Sequence, residues 1–337
     1  MGFDEIVKLG SSRTGIAMLH RVEPLRETAF GHPSCYRLRG TSLTFEELEE
    51  VLDRMSRIIS LEEVETALGQ GRPLPPGWVL TFDDGYLEHE EVARRLARRG
   101  AAGTFYVLGE ANGAGETPPV VDAWYFLLDH ARNPVAEVQH PVTGRTFPLD
   151  LRTLEGKMAW VIGAPKIALL EASPSEQWAF VDALADAVGT ALPADLCART
   201  FLSPSGWKTL ESMGMSVGAH GLTHARLPQL SPADRSYEIS ESVRRLERSH
   251  PSFAYPDGAH DSACVEDVRA SGASSAVTCV PGWVESASDV FRLPRFNVPP
   301  RGRATPSHPK EPTPRACRRS RPSPPACPPS WADRRGC

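Results

Sequence analysis

The chain has 337 residues, 41% of them hydrophobic and 23% charged, a composition typical of globular proteins. The formal net charge is −5, but segment 299–337 nets +7 and the remainder therefore about −12, which argues against a nucleic-acid-binding protein. No apolar run is long enough to predict a transmembrane segment, and the N-terminus lacks a secretory signal. The seven scattered cysteines lack a CxxC spacing and fit a reducing compartment, so we expect a cytoplasmic location.

Short apolar runs alternate with amphipathic patterns along the chain. The apolar runs predict strands, which are, in order, IAMLHRV, WVLTFDD, AAGTFYVLG, MSVGAHGL, FAYPDG, SAVTCV and FRLPRFNV. The amphipathic patterns predict helices over TFEELEEVLDRMSRII, LEHEEVARRLARRG, SPADRSYEISESVRRLERS and SACVEDVRASG. Thr44 and Ser231 are the expected N-caps, Glu47 completes a capping box with Thr44, and Gly100 ends the second helix. This alternation predicts a parallel α/β fold.

Two segments depart from the alternation. Residues 112–199 have a mostly helical pattern and no candidate active-site string, so we interpret them as an insertion that either shapes the mouth of the site or forms a structural flap. Segment 299–337 is dense in Pro, Arg and Ser and predicts a disordered tail. Such a basic tail would allow contact with acidic polymers or a membrane surface, although the abrupt change of composition is more typical of an aberrant C-terminus. The main domain is therefore predicted to span residues 1–298.

A pair of adjacent carboxylates, Asp83 and Asp84, follows the apolar strand in VLTFDDGY. Neighbouring residues on a strand face opposite ways, so both can enter one site only where the strand ends, and Gly85 permits the turn. In a barrel of parallel strands, the carboxyl ends of the strands build the active site. Two like charges brought together there favour a bound cation, whereas a simple polar turn is the alternative.

Two histidines in GAHGLTHARL, His220 and His224, are spaced four apart. The HExxH zinc motif does not fit, because Gly221 replaces the glutamate and the flanking glycines disfavour a helix. A strand end that leads into a turn can still bring two imidazoles to one ion. Two histidines and one carboxylate form a known catalytic zinc set, although two unrelated histidines remain the alternative.

In this order, the two strings resemble the NodB-homology polysaccharide deacetylases, carbohydrate esterase family 4. TFDDGY is followed by GTFYV and then by HGLTH, as in that family. MLHRV, ARLPQLS, EISESVRRLE, FAYPDG and RLPRF resemble elements of its branch that acts on surface polysaccharides. The resemblance covers roughly residues 16–298, with a diverged middle, and implies a distorted (β/α) barrel with a mostly helical insertion.

The resemblance also implies roles for individual residues. Asp84, His220 and His224 would hold a divalent metal, with zinc as the expected ion, and Asp83 would be the general base for a metal-activated water. A backbone N–H such as that of Tyr86 would assist at the oxyanion. The hydroxyl that usually follows the first histidine is absent, because Gly221 stands there.

The general acid and the substrate contacts are less clearly marked, since no late histidine motif is present. His20 and His260 are candidate acids, and we favour His20 because its strand end would face the same mouth; a structural histidine is the alternative. Arg295, like its neighbour Arg292, could orient Asp83 or bind an anionic group, and Asp257 adds an unusual further acid. The predicted substrate contacts, which include the aromatic rings as stacking surfaces for a sugar, are Tyr86, Tyr255 and Arg295.

The implied activity is hydrolytic removal of an N-acetyl group from an amino sugar in a glycan or glycan precursor. Without a signal, a cytoplasmic or lipid-linked intermediate fits better than finished wall polymer. Two alternatives stay open: an amide hydrolase of the same fold acting on a cyclic imide or ureide, and a catalytically inactive glycan-binding homologue. A glycosidase is disfavoured because adjacent carboxylates cannot straddle a glycosidic bond. The sequence carries no prediction of oligomeric state.

Overall fold

The computed structural model describes residues 12–110, 116–248 and 250–301. They belong to the first of two compact units, Met1–Pro306, whereas the second, Ser307–Cys337, lies outside the described residues. Only the first three residues of the predicted tail are described, so its disorder stays a prediction. Within these ranges no helix combines the length and apolar character needed to cross a membrane, and the four cysteines they include carry free thiols.

The strands of the described ranges are mostly short. In chain order they are β1 (Thr14–Leu19), β2 (Arg21–Val22), β3 (Ser42–Leu43), β4 (Gly77–Phe82), β5 (Thr104–Val107), β6 (Val135–Gln139), β7 (Thr146–Asp150), β8 (Ser216–Ala219), β9 (Phe253–Ala254), β10 (Ala276–Val277) and β11 (Phe296–Asn297).

Helices lie between most of these strands. They are α1 (Cys35–Arg39), α2 (Phe45–Arg54), α3 (Leu61–Gly69), α4 (His89–Arg98), α5 (Val120–Asp129), α6 (Leu154–Ile162), α7 (Ala164–Glu171), α8 (Pro174–Val188), α9 (Leu196–Thr200), α10 (Pro204–Ser212), α11 (Pro232–Arg244) and α12 (Ser262–Ala270). Thr44 and Glu47 form the predicted capping box of α2, and Ser231 caps α11 as predicted. Helix α2 ends at Arg54 instead of Ile59, because the backbone N–H of Ile59 donates a hydrogen bond to Trp78 of β4.

The main sheet is parallel and runs in the order β10-β9-β8-β5-β4-β1-β11. Every residue of β1 and of β4 is buried, as expected for parallel strands covered on both faces. The register pairs Leu19 with Phe82 and Val107 with Ala219. The residues that follow these strands therefore meet at one edge of the sheet, and the predicted distorted (β/α) barrel is confirmed. The predicted strand 16–22 is divided at His20, because Arg21 and Val22 pair with β3 in a separate small sheet.

Segment 290–297 connects the two edges of the sheet. Its first part exchanges backbone hydrogen bonds with β10, in which Ala276 donates to Val290 and Leu293 donates to Ala276, both at 2.9 Å. Its last part is β11, which pairs with β1 through Ala17 and Phe296. We call residues 290–297 the closing segment, since it completes the curl of the sheet.

The region predicted as a helical insertion has an apolar core of its own. Helices α5, α6 and α8 pack there through large side chains, among them Trp124, Trp160 and Phe180. It also contains the antiparallel hairpin β6–β7, which the mostly helical pattern did not predict. The buried side chains of β7 alternate with exposed ones, as in a half-covered strand.

The insertion is attached to both strings that carry the candidate site. After α9, Leu202 donates to Gly85 at 2.8 Å, and Leu87 donates to Thr200 at 2.9 Å. Near the end of α7, the carbonyl of Leu170 accepts hydrogen bonds from the Arg226 and Gln229 side chains. The insertion therefore contacts the loop after β4 as well as the loop that follows β8.

Candidate metal centre

The turn after β4 brings two carboxylates to the edge of the sheet. Asp83 continues the strand pairing by donating its N–H to Leu19 at 2.9 Å. Asp84 and Gly85 then adopt left-handed backbone angles, with φ of 76° and 71°. A Cβ at Gly85 would come within 3.0 Å of Val107, so the turn requires glycine for space as well as for conformation.

Three side chains converge just beyond these strand ends. The Nε2 atoms of His220 and His224 lie 3.3 and 3.5 Å from Oδ1 of Asp84, and the three ligand atoms are all within 4.8 Å of one another. Ligands of tetrahedral zinc lie about 2.0–2.1 Å from the ion and thus roughly 3.3 Å apart. The separations from Asp84 match that spacing.

The hydrogen bonds around these three residues also fit a cation. Nδ1 of His220 lies 2.8 Å from the carbonyl of Ala254, so it donates there and leaves the Nε2 lone pair facing Asp84. Oδ1 of Asp84 is buried and accepts no hydrogen bond from the described residues. Burial opposes ionisation of Asp84, but the His220 and His224 imidazoles outweigh it and hold its pKa well below the usual value. A buried oxygen without a hydrogen-bond donor, faced by two imidazole nitrogens, is suited to a divalent metal such as zinc.

The loop between the two histidines is held by a residue that sequence reasoning missed. Glu238 on α11 accepts hydrogen bonds from the N–H groups of Leu222 and Thr223, at 3.0 and 2.7 Å, and from the Thr223 hydroxyl. Gly221 has φ of 78°, and a Cβ there would lie 3.1 Å from Glu238. Glycine at this position, where the family usually has Ser or Thr, therefore matches a left-handed turn fastened by Glu238.

Asp83 is paired with Arg295 of the closing segment. The guanidinium donates to both carboxylate oxygens, at 2.7 and 2.8 Å, and also to the Thr278 carbonyl and the Thr81 hydroxyl. Both charged side chains are buried. Burial opposes ionisation of Asp83, but Arg295 outweighs it and lowers the pKa of that carboxyl below its usual value. Asp83 is therefore held as an oriented carboxylate.

His20 lies on the other side of Asp83. Its Nε2 is 4.0 Å from Oδ2 of Asp83, and its side chain is 20% exposed, so a substrate can reach the ring. The His20 carbonyl accepts a 2.8 Å hydrogen bond from Nε2 of buried His89, which holds the backbone at this point. Burial lowers the pKa of His20, against the fields of Asp83 and Asp84. The other candidate acid, His260, instead bonds to the Gly258 carbonyl and stacks on Tyr255.

The structure buries the predicted substrate contacts Tyr86, Tyr255 and Arg295. Tyr255 has no exposed surface and donates its hydroxyl to the Phe291 carbonyl at 3.0 Å. Tyr86 is 2% exposed and donates to Asp122 at 3.1 Å. Arg295 is completely buried and contacts Asp83, which matches its alternative predicted role of orienting Asp83.

Two further acids lie near the centre. Asp257 has a left-handed backbone, with φ of 54°, and its Oδ2 lies 3.8 Å from Nε of Arg226. Burial raises the pKa of Asp257, but His224 and Arg226 reverse the shift and lower it. The second is Asp122 of the insertion. It lies in no recognisable motif, and the sequence did not indicate it as a site residue.

Known proteins are similar to this chain in one sequence segment and in fold. Residues 177–276, which include His220 and His224, match the family model described as "Polysaccharide deacetylase". The deacetylase PplD of Streptococcus pyogenes, solved in complex with acetate, has the same fold: it is 16% identical, with a TM-score of 0.51 over 86% of this chain and 94% of its own. IcaB from Ammonifex degensii is 15% identical, with a TM-score of 0.47 over 85% of this chain and 91% of its own. Among curated proteins, no sequence matches. The matched segment is therefore similar to the polysaccharide deacetylase family, and the chain shares the fold of PplD.

Proposed function

We propose that this protein is a metal-dependent carbohydrate N-deacetylase, which hydrolyses the acetamide of an amino sugar in a glycan or glycan precursor. The observation that carries the proposal is the pairing of two arrangements at one edge of the sheet. A cation-binding set of Asp84, His220 and His224 lies beside Asp83, which Arg295 holds as a carboxylate. The match of residues 177–276 to the polysaccharide deacetylase model supports an acetyl group on an amino sugar as the target.

Asp84, His220 and His224 would hold the divalent cation, with zinc as the proposed metal. When bound, such a cation lowers the pKa of a water molecule toward neutrality and polarises the amide carbonyl. The three protein ligands leave coordination positions for water and substrate, as in catalytic rather than structural zinc sites.

Asp83 acts as the general base in this proposal. Arg295 occupies both carboxylate oxygens from one side and keeps the group ionised, so that it can accept the proton of the attacking water. Because Arg295 is buried, the same contact also prevents the carboxylate from rotating away.

His20 is proposed to donate a proton to the departing amine. It is the imidazole near Asp83 that does not belong to the cation set, and it is partly accessible. The leaving nitrogen would otherwise depart as a strongly basic amide anion, so an acid at this position is chemically required. The N–H of Tyr86 remains the predicted helper at the carbonyl oxygen.

The test is acetate release from a panel of N-acetylated monosaccharides, oligosaccharides and lipid-linked sugars. We expect at least one to be deacetylated, the activity to disappear after chelation, and added zinc to restore it. Cleavage of cyclic imides or ureides with all sugars inert would contradict the proposal and favour the alternative amide hydrolase. Metal-loaded, folded protein that binds glycans but cleaves no member of either panel would identify an inactive homologue instead.

A further inference from the structure

Asp122 is a buried carboxylate that the proposed chemistry does not use. It lies in the first turn of α5, where the helix N-terminus favours a negative charge, and is 7% exposed. The hydroxyls of Tyr36 and Tyr86 both donate to its Oδ1, the second at 3.1 Å. Three separate parts of the chain therefore meet at a single oxygen atom.

The two tyrosines that hold Asp122 are themselves fixed. Their rings meet edge to face, with centroids 6.0 Å apart. The Arg21 guanidinium lies over both rings, at 4.7 and 4.5 Å, and pairs with Glu88 through bonds of 2.7 and 3.2 Å. This packing restricts the orientation of the carboxylate, so the position of its second oxygen is set in advance.

The second oxygen, Oδ2, accepts no hydrogen bond from any residue in the described ranges. Asp122 nevertheless lies close to the metal centre: Tyr86, which binds it, is two residues after Asp84, and the charges of Asp84 and His224 both act on it. Burial and then the Asp84 carboxylate raise the pKa of Asp122 to about 6. Oδ2 is not one of the fully buried, unpaired side-chain atoms of the described residues, so solvent or a ligand can reach it.

The surroundings decide which kind of ligand fits. Asp122 does not join Asp84, His220 and His224 in the set of candidate metal ligands. The two tyrosine hydroxyls are donors and so favour the ionised carboxylate, which suits an acceptor better than an acid. An N-acetylated amino sugar offers such an acceptor its hydroxyl groups and its acetamide N–H, and the N–H belongs to the group that reacts at the metal centre.

We propose that Asp122 is a substrate-binding residue whose Oδ2 accepts a hydrogen bond from a hydroxyl of the sugar that carries the acetamide. This inference rests on the proposed deacetylase function. It makes the insertion a contributor to substrate specificity, because α5 supplies the carboxylate while the strand ends supply the reacting groups.

The experiment compares wild type and Asp122→Asn on an active N-acetyl sugar and on its monodeoxy analogues. Asn keeps the shape and one oxygen, but its amide is a poor substitute for the second acceptor. We expect kcat/KM on the parent sugar to fall roughly tenfold to a hundredfold, mainly through KM, with metal content unchanged. On one deoxy analogue the two proteins should be equal, since the hydroxyl that Asp122 binds is already missing.

Asp129→Asn is the matched control, because Asp129 lies on the same helix but accepts hydrogen bonds from the Cys35 N–H, at 3.0 and 3.1 Å, and pairs with Lys157. It is expected to lower Tm without changing the ranking of the deoxy analogues. Should Asp122→Asn not fold, Asp122→Glu, which keeps the charge but displaces the oxygen, is expected to give the same loss for the same hydroxyl.

Equal impairment on the parent and on every deoxy analogue, or loss of metal in Asp122→Asn, would assign Asp122 a purely structural role and overturn the inference. The same sugars are also titrated calorimetrically into zinc-loaded Asp83→Asn with and without Asp122→Asn, which needs no turnover. Absence of acetate release by wild type together with hydroxyl-specific binding would then contradict the deacetylase function but not the role of Asp122.

Discussion

Arg295 binds both carboxylate oxygens of Asp83, at 2.7 and 2.8 Å, across 212 positions of the chain. The pair is buried, and the arginine belongs to the segment that connects the two edges of the sheet. The candidate base is therefore oriented by the same residues that complete the barrel, so its position depends on the whole fold.

Arg295→Met is expected to unfold more easily and to lose deacetylation. The change leaves the Asp83 carboxylate buried without its partner, which should cost about 3–5 kcal/mol of unfolding free energy. Denaturant titration measures this cost. Adding Asp83→Asn should recover part of the stability but none of the activity, since the unpaired charge is then gone. Arg292→Met, at the exposed neighbour that pairs with Asp289, should change stability by no more than about 0.5 kcal/mol. An equal loss in both single variants would contradict a special role for Arg295.

Asp83→Asn and His220→Ala should separate metal binding from turnover. Asp83→Asn is expected to keep bound zinc and to lose most activity, because it removes the base and not a ligand. His220→Ala is expected to lose both, because one of the three candidate ligands is gone. Elemental analysis after dialysis, together with acetate release, measures the two properties. Full activity in Asp83→Asn would falsify its assignment as the base.

His20→Gln should depend on the leaving group. With an acetamide, we expect turnover to fall roughly a hundredfold or more, since the amine must be protonated as it departs. An aryl acetate ester, whose phenolate leaves without a proton, should be cleaved at nearly the wild-type rate. Parallel assays on both substrates provide the comparison, and His260→Gln is the control. Identical losses on both substrates would indicate that His20 supports the fold of the site instead.

Lys166→Met should stabilise the protein in a pH-dependent manner. Lys166 on α7 is 3% exposed, and its Nζ has no hydrogen-bond partner in the described part of the chain. Burial lowers its pKa from 10.5 to about 7, although Asp257 acts in the opposite direction. Between these values the unfolded chain binds a proton that the folded chain has released, so unfolding free energy rises with pH, and below pH 7 the folded state carries the full cost.

The variant is therefore expected to gain on the order of 5 kcal/mol at pH 6 and little near pH 10.5. Thermal denaturation across this range measures the difference. Lys157→Met is the matched control, because Lys157 is equally buried in the insertion but pairs with Asp129 and the Pro33 carbonyl, each at 2.7 Å. It should destabilise the protein at every pH in the range. Destabilisation by Lys166→Met at all pH values would mean that its ammonium is compensated after all.

The candidate ligands could be predicted because their positions follow from strand geometry. Asp84 comes two residues after the end of β4, and His220 directly follows β8. The ends of neighbouring parallel strands meet at one edge of the sheet. The glycine after the two aspartates and the glycine between the histidines also identified the turns correctly. Such turns can be predicted from the sequence because they depend only on residues that are neighbours in the chain.

Roles set by distant neighbours were harder to predict. Tyr86 and Tyr255 are aromatic residues beside the motifs, but whether a ring faces a cleft or the core depends on what packs over it. Arg295 was left with two roles because its partner is remote in the chain. Asp122 gave no signal at all, since a single acid in an apolar helix has its meaning only once Tyr36 and Tyr86 surround it.

The hairpin β6–β7 was missed for a different reason. Its strands carry an alternating pattern of buried and exposed residues, and the turn contains Thr143 and Gly144, which are favourable in tight turns. The helical pattern on both sides of the hairpin led to a mostly helical prediction for the whole insertion.

The closing segment also has a consequence for the order of events during synthesis. Asp84, His220 and His224 all precede Arg295 in the chain, so the candidate ligands are synthesised before the residue that aligns the candidate base. Only after residues 290–297 emerge from the ribosome can the two sheet edges be connected and the Asp83 carboxylate be paired. A single late segment therefore both completes the sheet and brings the partner of the candidate base.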